Sequence, residues 1–512
     1  MAYGLAKSGL RILVLERGQQ LADCPEARDT NAIFHKGFFR PQETWLDGAG
    51  QPFNPGNYYY VGGNSKFYGA VLIRYRKEDF EDLEHEGGLS PAWSFGYDEL
   101  EPWYSKAERL YQVRGSSGED PTEPPHSSPY PHPPVPDEPA IAETRRRLEA
   151  QGLHPFSLPL GVDLEAWTAR APTPWDAYPD TRTGKMDAES CLNAALAHDN
   201  VTLETGAFVE RLETDAAGRR IEAVTYRRDG ELHRVVPKIV ILAAGAVNSA
   251  ALLLRSANSA APNGLANSSG QVGRNFMNHN CTAMLAIDPR LRNDSVYQKT
   301  LGINDFYLDD GKNGPPLGNV QLLGKISAGI LRPNLRWMPE TLLKGICRHS
   351  VDWYLMSEDL PNPNSRVRLD GDRIVLDWQR SNMAGHQKLV TRMRELFRAA
   401  GFPIVLAKPF DRRTPSHQCG TIRMGNDPAQ APLDPYCRAF DVPNLFVVDA
   451  SFLPTSAAVN PALTIAAQAL RVARHILNAE CGATGERLRT TGEEKMKLSD
   501  RLPSPSISAR KH

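Results

Sequence analysis

Apolar and polar positions repeat along the chain with a period that changes from segment to segment. In MAYGLAKSGLRILVLERG, Ala2, Leu5, Ala6 and Leu10 recur at helical spacing, Gly9 ends that helix, and Ile12 to Leu15 form a short apolar strand that stops at Glu16. Helix, tight turn, strand and acid make the back half of a βαβ nucleotide-binding unit. YDELEPWYSKAERLYQV carries a helical pattern, and a second helix is predicted over 141–151. VTLETGAFVERLETD, RRIEAVTYRRDG and ELHRVVPKIVILAAG each show strand patterning with turn residues between them, which predicts an antiparallel meander. Residues 300–380 are strand-rich, with SRVRLDGDRIVLDW as a hairpin. GHQKLVTRMRELFRAAG then predicts a helix, NLFVVDASFLPTS a buried strand entering a turn, and NPALTIAAQALRVARHIL a long apolar helix.

Between these elements the pattern weakens. QPFNPGNYYYVGGNSKFYGAVLIRYR is an aromatic, Gly-rich loop leading into an apolar helix or strand. Residues 115–139 are rich in Pro and Ser, which predicts a surface excursion without regular structure. From about Gly482 the chain lacks core residues and is expected to be disordered. The longest apolar run, IVILAAGAVNSAALLL, is short for a membrane span and contains Asn248 and Ser249; it reads as strand, turn and helix start.

At 512 residues the chain exceeds one ordinary core, so two domains are expected. A net charge of −1 gives no support for nucleic acid as a partner. Seven scattered cysteines with no C-x-x-C pair argue against a disulfide framework and against a zinc or other metal site. A reducing, cytoplasmic compartment fits that usage. No secretory signal is visible.

Four stretches carry candidate chemistry. Glu16, at the end of the second strand of a nucleotide-binding unit, suits a ribose diol. Gly62 and Gly63 permit close backbone approach to a ligand. The strand ending at Ala244 and Gly245 does the same for a second loop. His417 opens HQCGTIRMG, and Asn460 opens NPALTI 43 residues later (460 − 417). Pro461 is a favoured first helical residue, so that helix directs free N–H groups and partial positive charge outward. Taken singly, each has a plainer reading. Glu16 reads equally as a surface acid, the glycine pair and the Ala-Ala-Gly turn as packing devices, and a lone His as structural.

Together, in this order, the stretches resemble the glucose–methanol–choline (GMC) family of FAD-dependent oxidoreductases, from about Ala2 to Leu477. The most specific part is HQCGTIRMG followed by RAFDVPNLFVVDASFLPTSAAVNPALTIAAQALRVA. Supporting pieces are GGLSPAWSFGYDELEPWY, KIVILAAGAVNSAALLLRS and GLANSSGQVGRNFMNH. The resemblance implies an α/β fold: a Rossmann-like FAD-binding domain, here N-terminally incomplete, and a substrate domain built on an antiparallel sheet and helices. The FAD domain is expected over 1–90, 187–285 and 430–480, the substrate domain over 91–186 and 286–429, and a disordered tail over 481–512.

Members of that family oxidise an alcohol carbon, a base taking the hydroxyl proton while hydride passes to flavin N5. Carried over by position, His417 is the base and Asn460 hydrogen-bonds the substrate oxygen. Glu16 meets the adenosine ribose, and Gly62, Gly63, Asn64 and Ser65 lie along the pyrophosphate and flavin. Val209 holds adenine through its backbone, near Ala244 and Gly245. Asp449 and Ala450 meet the ribityl or pyrophosphate region, and Asn460, Pro461 and Thr464 the pyrimidine edge. Phe67 stands where some relatives carry the His that attaches FAD covalently, so non-covalent FAD is expected. Tyr68 replaces a frequent Asn. Too few residues precede Glu16 to hold the first strand and the G-x-G-x-x-G loop, so a severed unit with weakened FAD binding is expected. The substrate is a small-molecule alcohol, and the electron acceptor stays open. Two alternatives stay open beside this reading: a truncated, non-catalytic remnant, and redox-neutral lyase chemistry on the same fold.

Overall fold

The computed structural model describes residues 1–170, 178–179, 184–333, 335–411 and 417–483. The predicted opening is present: Ala2–Leu5 is helical, Ala6–Ser8 tightens into a 3-10 turn, and Gly9 caps it at φ 76° before the Ile12–Leu15 strand. Gly4 lets this short helix close on the long helix Ala462–Ala483, since a Cβ there would lie 2.7 Å from the Cβ of Ala473.

The strands sort differently from a simple meander. Ile12–Leu15 pairs in parallel with Val201–Glu204, and Val240–Leu242 pairs in parallel with Leu445–Val447. Only Phe208–Thr214, Ile221–Arg228 and Glu231–Val235 form the antiparallel run. VTLETGAFVERLETD is therefore two strands in two sheets. Gly206, at φ 67°, donates its N–H to the Gly18 carbonyl at 2.9 Å and turns the chain between them. Likewise ELHRVVPKIVILAAG divides after Val235, and its second half joins the C-terminal strand.

The second layer is a six-stranded antiparallel sheet in the order Ile404–Pro409, Asn280–Ile287, Ser350–Ser357, Asn319–Leu322, Leu301–Ile303, Phe156–Ser157. Asn280–Ile287 and Ser350–Ser357 are buried at every position, so both faces are covered. Met284, Ala286, Val351, Trp353 and Leu355 pack with Leu389, Met393 and Phe397 of the Met383–Ala399 helix. Cys281, Ala283, Leu285, Tyr354 and Met356 belong to a separate cluster on the opposite face, as strand alternation requires.

The expected domain boundary at residue 285 falls inside the Asn280–Ile287 strand, which belongs to this sheet along its whole length. The hairpin Arg366–Asp370 and Arg373–Asp377 forms as predicted. It pairs through its second strand with Trp45–Asp47, in a four-stranded sheet separate from the six-stranded one.

Two segments depart from their predicted character. After the 3-10 turn Gly63–Phe67, residues 69–76 form neither helix nor ladder strand; Val71 makes an isolated bridge to Leu160. Residues 115–138 lack helix and ladder strand, and the Pro139–Glu149 helix begins at the end of the expected excursion, which is not a free surface segment. Asp120 is buried in an ion pair with Arg76, and the Pro125 carbonyl accepts from the Tyr97 hydroxyl at 2.7 Å. Buried Arg74, held by Glu108 at 2.7 Å, also donates to Pro125. A charge this deep requires fixed partners, and the Pro-rich segment helps to supply them. Most of the predicted disordered tail, 484–512, lies outside the described residues. Among the described residues no helix is long and apolar enough to cross a membrane.

Candidate active site

At the end of the Ile12–Leu15 strand, Glu16 accepts from the Gly18 N–H at 2.7 Å through Oε1. Burial raises its carboxyl above the usual carboxylate range, opposed by that N–H and by Arg17. Gly18 is obligatory, because a Cβ would sit 2.0 Å from the Tyr59 carbonyl oxygen. The Ala207 N–H donates to the Glu16 carbonyl at 2.9 Å, which sets the strand bearing Val209 beside Glu16. Glu16 and Val209 are thus brought together.

The glycine pair follows. Gly62 and Gly63 take φ of 95° and 55°, values that disfavour any side chain, and a Cβ on Gly63 would meet no atom within 4 Å. Asn64 and Ser65 are engaged inside the protein. Asn64 Oδ1 accepts from the Tyr58 N–H at 2.9 Å, and Ser65 Oγ bridges the Gly62 carbonyl at 2.6 Å and the Ala188 N–H at 3.0 Å. Phe67 is buried and stacks on Tyr58 with centroids 3.7 Å apart. The Tyr68 hydroxyl donates to the Met186 carbonyl.

A third group forms around Asp449. Its Oδ2 accepts from the Gly245 N–H at 3.0 Å and Ser249 Oγ at 2.5 Å; its Oδ1 accepts from the Ser451 N–H at 2.8 Å and from Ser451 Oγ. Burial raises this carboxyl despite those donors. Its ties join the Ala246–Arg255 helix to the turn containing Ala450. A Cβ on Gly245 would face open space, and Ala244 N–H donates to Ser249 at 3.1 Å. Asn248 donates to the Tyr59 hydroxyl at 3.3 Å, linking this group to the Gly18 loop.

The fourth group contains His417. Met277 and Cys419 exchange backbone hydrogen bonds at 2.9 and 3.0 Å, clipping the two segments together two residues from each of two histidines. Gly420 makes that approach possible, since a Cβ would lie 2.5 Å from the Asn275 carbonyl oxygen. His417 stands at φ 68°, in the left-handed region. Its Nδ1 lies 2.8 Å from Nδ1 of buried His279, and its Nε2 lies 3.3 Å from Nδ2 of Asn460. His279 Nε2 lies 2.9 Å from the Ser456 carbonyl oxygen. Asn460 Oδ1 accepts from Gln321 Nε2 at 3.0 Å, and Gln321 Oε1 is buried without a hydrogen-bond partner.

Burial holds the His417 imidazole well below the usual histidine range, helped by His279 and the Lys299 cation. His279 is lowered too, chiefly by burial. Both rings are therefore neutral near pH 7. Asn460 precedes the long helix by one residue more than predicted: Ile465 N–H donates to the Pro461 carbonyl at 2.9 Å, so Pro461 caps the helix rather than starting it. Thr464 is fully buried and bonds the Tyr104 hydroxyl at 2.7 Å.

Two functional candidates escaped the sequence. His279 ends the quoted stretch GLANSSGQVGRNFMNH, and an unassigned His there was the available signal. Gln321 gives none, because its place depends on the register of an antiparallel sheet.

Comparison with known proteins shows the family of the chain. Two family models, both described as GMC oxidoreductase, match residues 178–281 and 361–469; the first contains His279, the second His417 and Asn460. The 6'''-hydroxyparomomycin C oxidase of Streptomyces lividus is 30% identical over 508 residues, covering 92% of this chain and 88% of that one. The fructose dehydrogenase large subunit of Gluconobacter japonicus is 29% identical over 82% of this chain and 80% of its own. Among solved structures, pyridoxine 4-oxidase from Mesorbium loti superposes with a TM-score of 0.60 at 20% identity, over 93% of this chain and 96% of that one. The class defined is an FAD-dependent oxidoreductase. The chain belongs to the GMC oxidoreductase family, whose members are FAD-binding flavoproteins.

Proposed function

We propose that the protein oxidises an alcohol or sugar hydroxyl to a carbonyl, with His417 Nε2 as the base and Asn460 as the hydrogen-bond donor to the substrate oxygen. The observation that carries this reading is the 3.3 Å pairing of a neutral His417 Nε2 with Asn460 Nδ2. One atom accepts a proton and the other donates to an oxygen, so a hydroxyl between them meets both needs at once. The relatives named for a paromomycin derivative and for fructose support a polyhydroxylated substrate class.

The residues present fit FAD. Gly63 and Gly245 would each direct a Cβ into open space, leaving room for a ligand against the backbone. Gly62, Gly63 and Gly245 would line it, Glu16 would take the ribose and Val209 the adenine. Ala244, Ala450, Pro461 and Thr464 would act through backbone position. Asn64, Ser65 and Asp449 would shape the cradle through their internal bonds. Bound FAD supplies the acceptor for the two electrons that leave the alcohol carbon. Phe67 offers no nucleophile for attachment, which supports non-covalent binding.

The order of events at the side chains follows from their atoms. The hydroxyl displaces the His417–Asn460 contact, Nε2 takes its proton, and Asn460 Nδ2 stabilises the oxygen as negative charge develops. Gln321 keeps the Asn460 amide turned so that Nδ2 faces the site. The test is anaerobic titration of FAD-reconstituted protein with a panel of alcohols and sugars. Bleaching of the visible flavin band, with a carbonyl product, is the expected result. A panel without bleaching, or product formed without any electron acceptor, would reject the proposal.

A further inference from the structure

We infer that His279 is a positioning residue that fixes the tautomer of His417, so that the proton of His417 sits on Nδ1 and the lone pair on Nε2. This rests on the reading of His417 as the base. Donor and acceptor roles can be traced from one end. The Ser456 carbonyl oxygen only accepts, so His279 Nε2, 2.9 Å away, carries a hydrogen. A neutral imidazole carries one ring hydrogen, so His279 Nδ1 is a lone pair. Across 2.8 Å that lone pair needs a donor, and His417 Nδ1 supplies it. His417 Nε2 is then the acceptor, facing Asn460 Nδ2 at 3.3 Å. The amide that Gln321 holds by its Oδ1 has just this orientation. Every contact pairs one donor with one acceptor.

The other arrangements fail on chemistry. With the proton on Nδ1, neutral His279 would set a lone pair against the Ser456 oxygen. With both nitrogens protonated, His279 would force a hydrogen onto His417 Nε2 and against the Asn460 amide donor. Restoring order would then require both amides to turn over. The charged state is also opposed by surroundings: His279 is 1% exposed. Lys299 disfavours charge on His417, while Glu358 favours it on His279 and is outweighed by burial. Asp359, next in sequence to Glu358, is spent on the Asn278 N–H at 3.0 Å, Trp378 Nε1 at 2.8 Å and Ser381. A backbone carbonyl thus determines, through two rings, which nitrogen of His417 is free.

Two variants separate this role from packing. His279→Asn keeps an acceptor oxygen close to the position of Nδ1; His279→Phe keeps a ring and removes the acceptor. The first readout needs no substrate: ring 15N spectra of histidine-labelled protein. His417 is expected as the Nδ1–H form in the wild type and in His279→Asn, and as the Nε2–H form or a mixture in His279→Phe. The second readout is substrate-dependent flavin reduction across pH. His279→Phe is expected to lower kcat about 100-fold, with KM within about threefold and a displaced acid limb. His279→Asn is expected within about tenfold of wild type. An Nε2–H form of His417 in the wild type overturns the inference outright. So does a His279→Phe enzyme with wild-type kcat and pH profile while His417→Ala is inactive. If His417→Ala keeps its rate, the reading of His417 as the base fails instead, and the wild-type spectrum still decides the tautomer.

Discussion

Asp449 and His417 lie in neighbouring turns, the first buried and the second half-buried, and they use their polar chemistry in opposite ways. Asp449 places four donors on its two oxygens, all from Gly245, Ser249 and Ser451. His417 belongs to a chain of amides and imidazoles in which Nε2 makes only a long contact and Gln321 Oε1 makes none. The carboxylate is fully satisfied and serves as a joint between a helix and a turn. The imidazole group keeps acceptor capacity in reserve for something that is not part of the chain. Unspent hydrogen-bonding capacity is costly, and its concentration beside His417 rather than Asp449 supports the proposal that substrate is handled there.

That contrast can be broken most forcefully at its two poles. His417→Ala is expected to lower kcat/KM for flavin reduction by about 10²–10⁴-fold with a nearly unchanged denaturation midpoint, read by stopped-flow absorbance and chemical denaturation. Asp449→Ala should do the converse at the level of the fold. Four donors lose their acceptor, and a loss of about 4 kcal/mol or more is expected from unfolding curves, with Asp449→Asn milder. An Asp449→Ala protein with wild-type stability would erase the distinction. Asn460→Ala is next, at about 100-fold in kcat, the cost of one donor to a developing oxyanion.

Gln321→Met is expected to lower kcat about tenfold, because Asn460 is free to rotate. The same change removes the unpaired Gln321 acceptor but also takes the donor away from Asn460 Oδ1, so the two effects oppose and stability is expected to change by less than about 1 kcal/mol; a loss of several kcal/mol in unfolding curves would show that Gln321 serves the fold rather than the site. The smallest effect concerns pH. Burial, His279 and Lys299 all disfavour the charged form of His417, so the neutral base persists below the usual histidine value of about 6.5 and the acid limb of kcat/KM falls below it. Lys299→Met withdraws one of the lowering influences and should move that limb upward by less than about one unit.

Local patterns in the sequence were enough for the elements whose neighbours are near in the chain. The opening helix and strand, the 366–377 hairpin, the Met383–Ala399 helix and the C-terminal helix all follow their periodicities. The meander misled because adjacent strands with turn residues between them read as partners, whereas Val201–Glu204 finds its partner nearly two hundred residues upstream. Within the site, His417 and Asn460 were legible as residue types at two turns. Asn64, Ser65 and Asp449 are expected along the cofactor from the family resemblance; that their side chains are occupied by the protein itself is not legible in the sequence. His279 and Gln321 were hidden for one reason: each acquires meaning only when a distant segment is laid beside it, through the Met277–Cys419 clip or the order of the six-stranded sheet.

The strand Asn319–Leu322 alternates a buried polar residue with a core residue: Val320 and Leu322 face the Met383–Ala399 helix, and Gln321 points the other way. A slip of one position would exchange the two sets, burying the amide in the core and offering an aliphatic side chain to Asn460. Misfolding and loss of turnover would then be a single error rather than two. The register that keeps the core apolar is thus the same register that gives Asn460 its donor, and a shift in pairing would weaken both together.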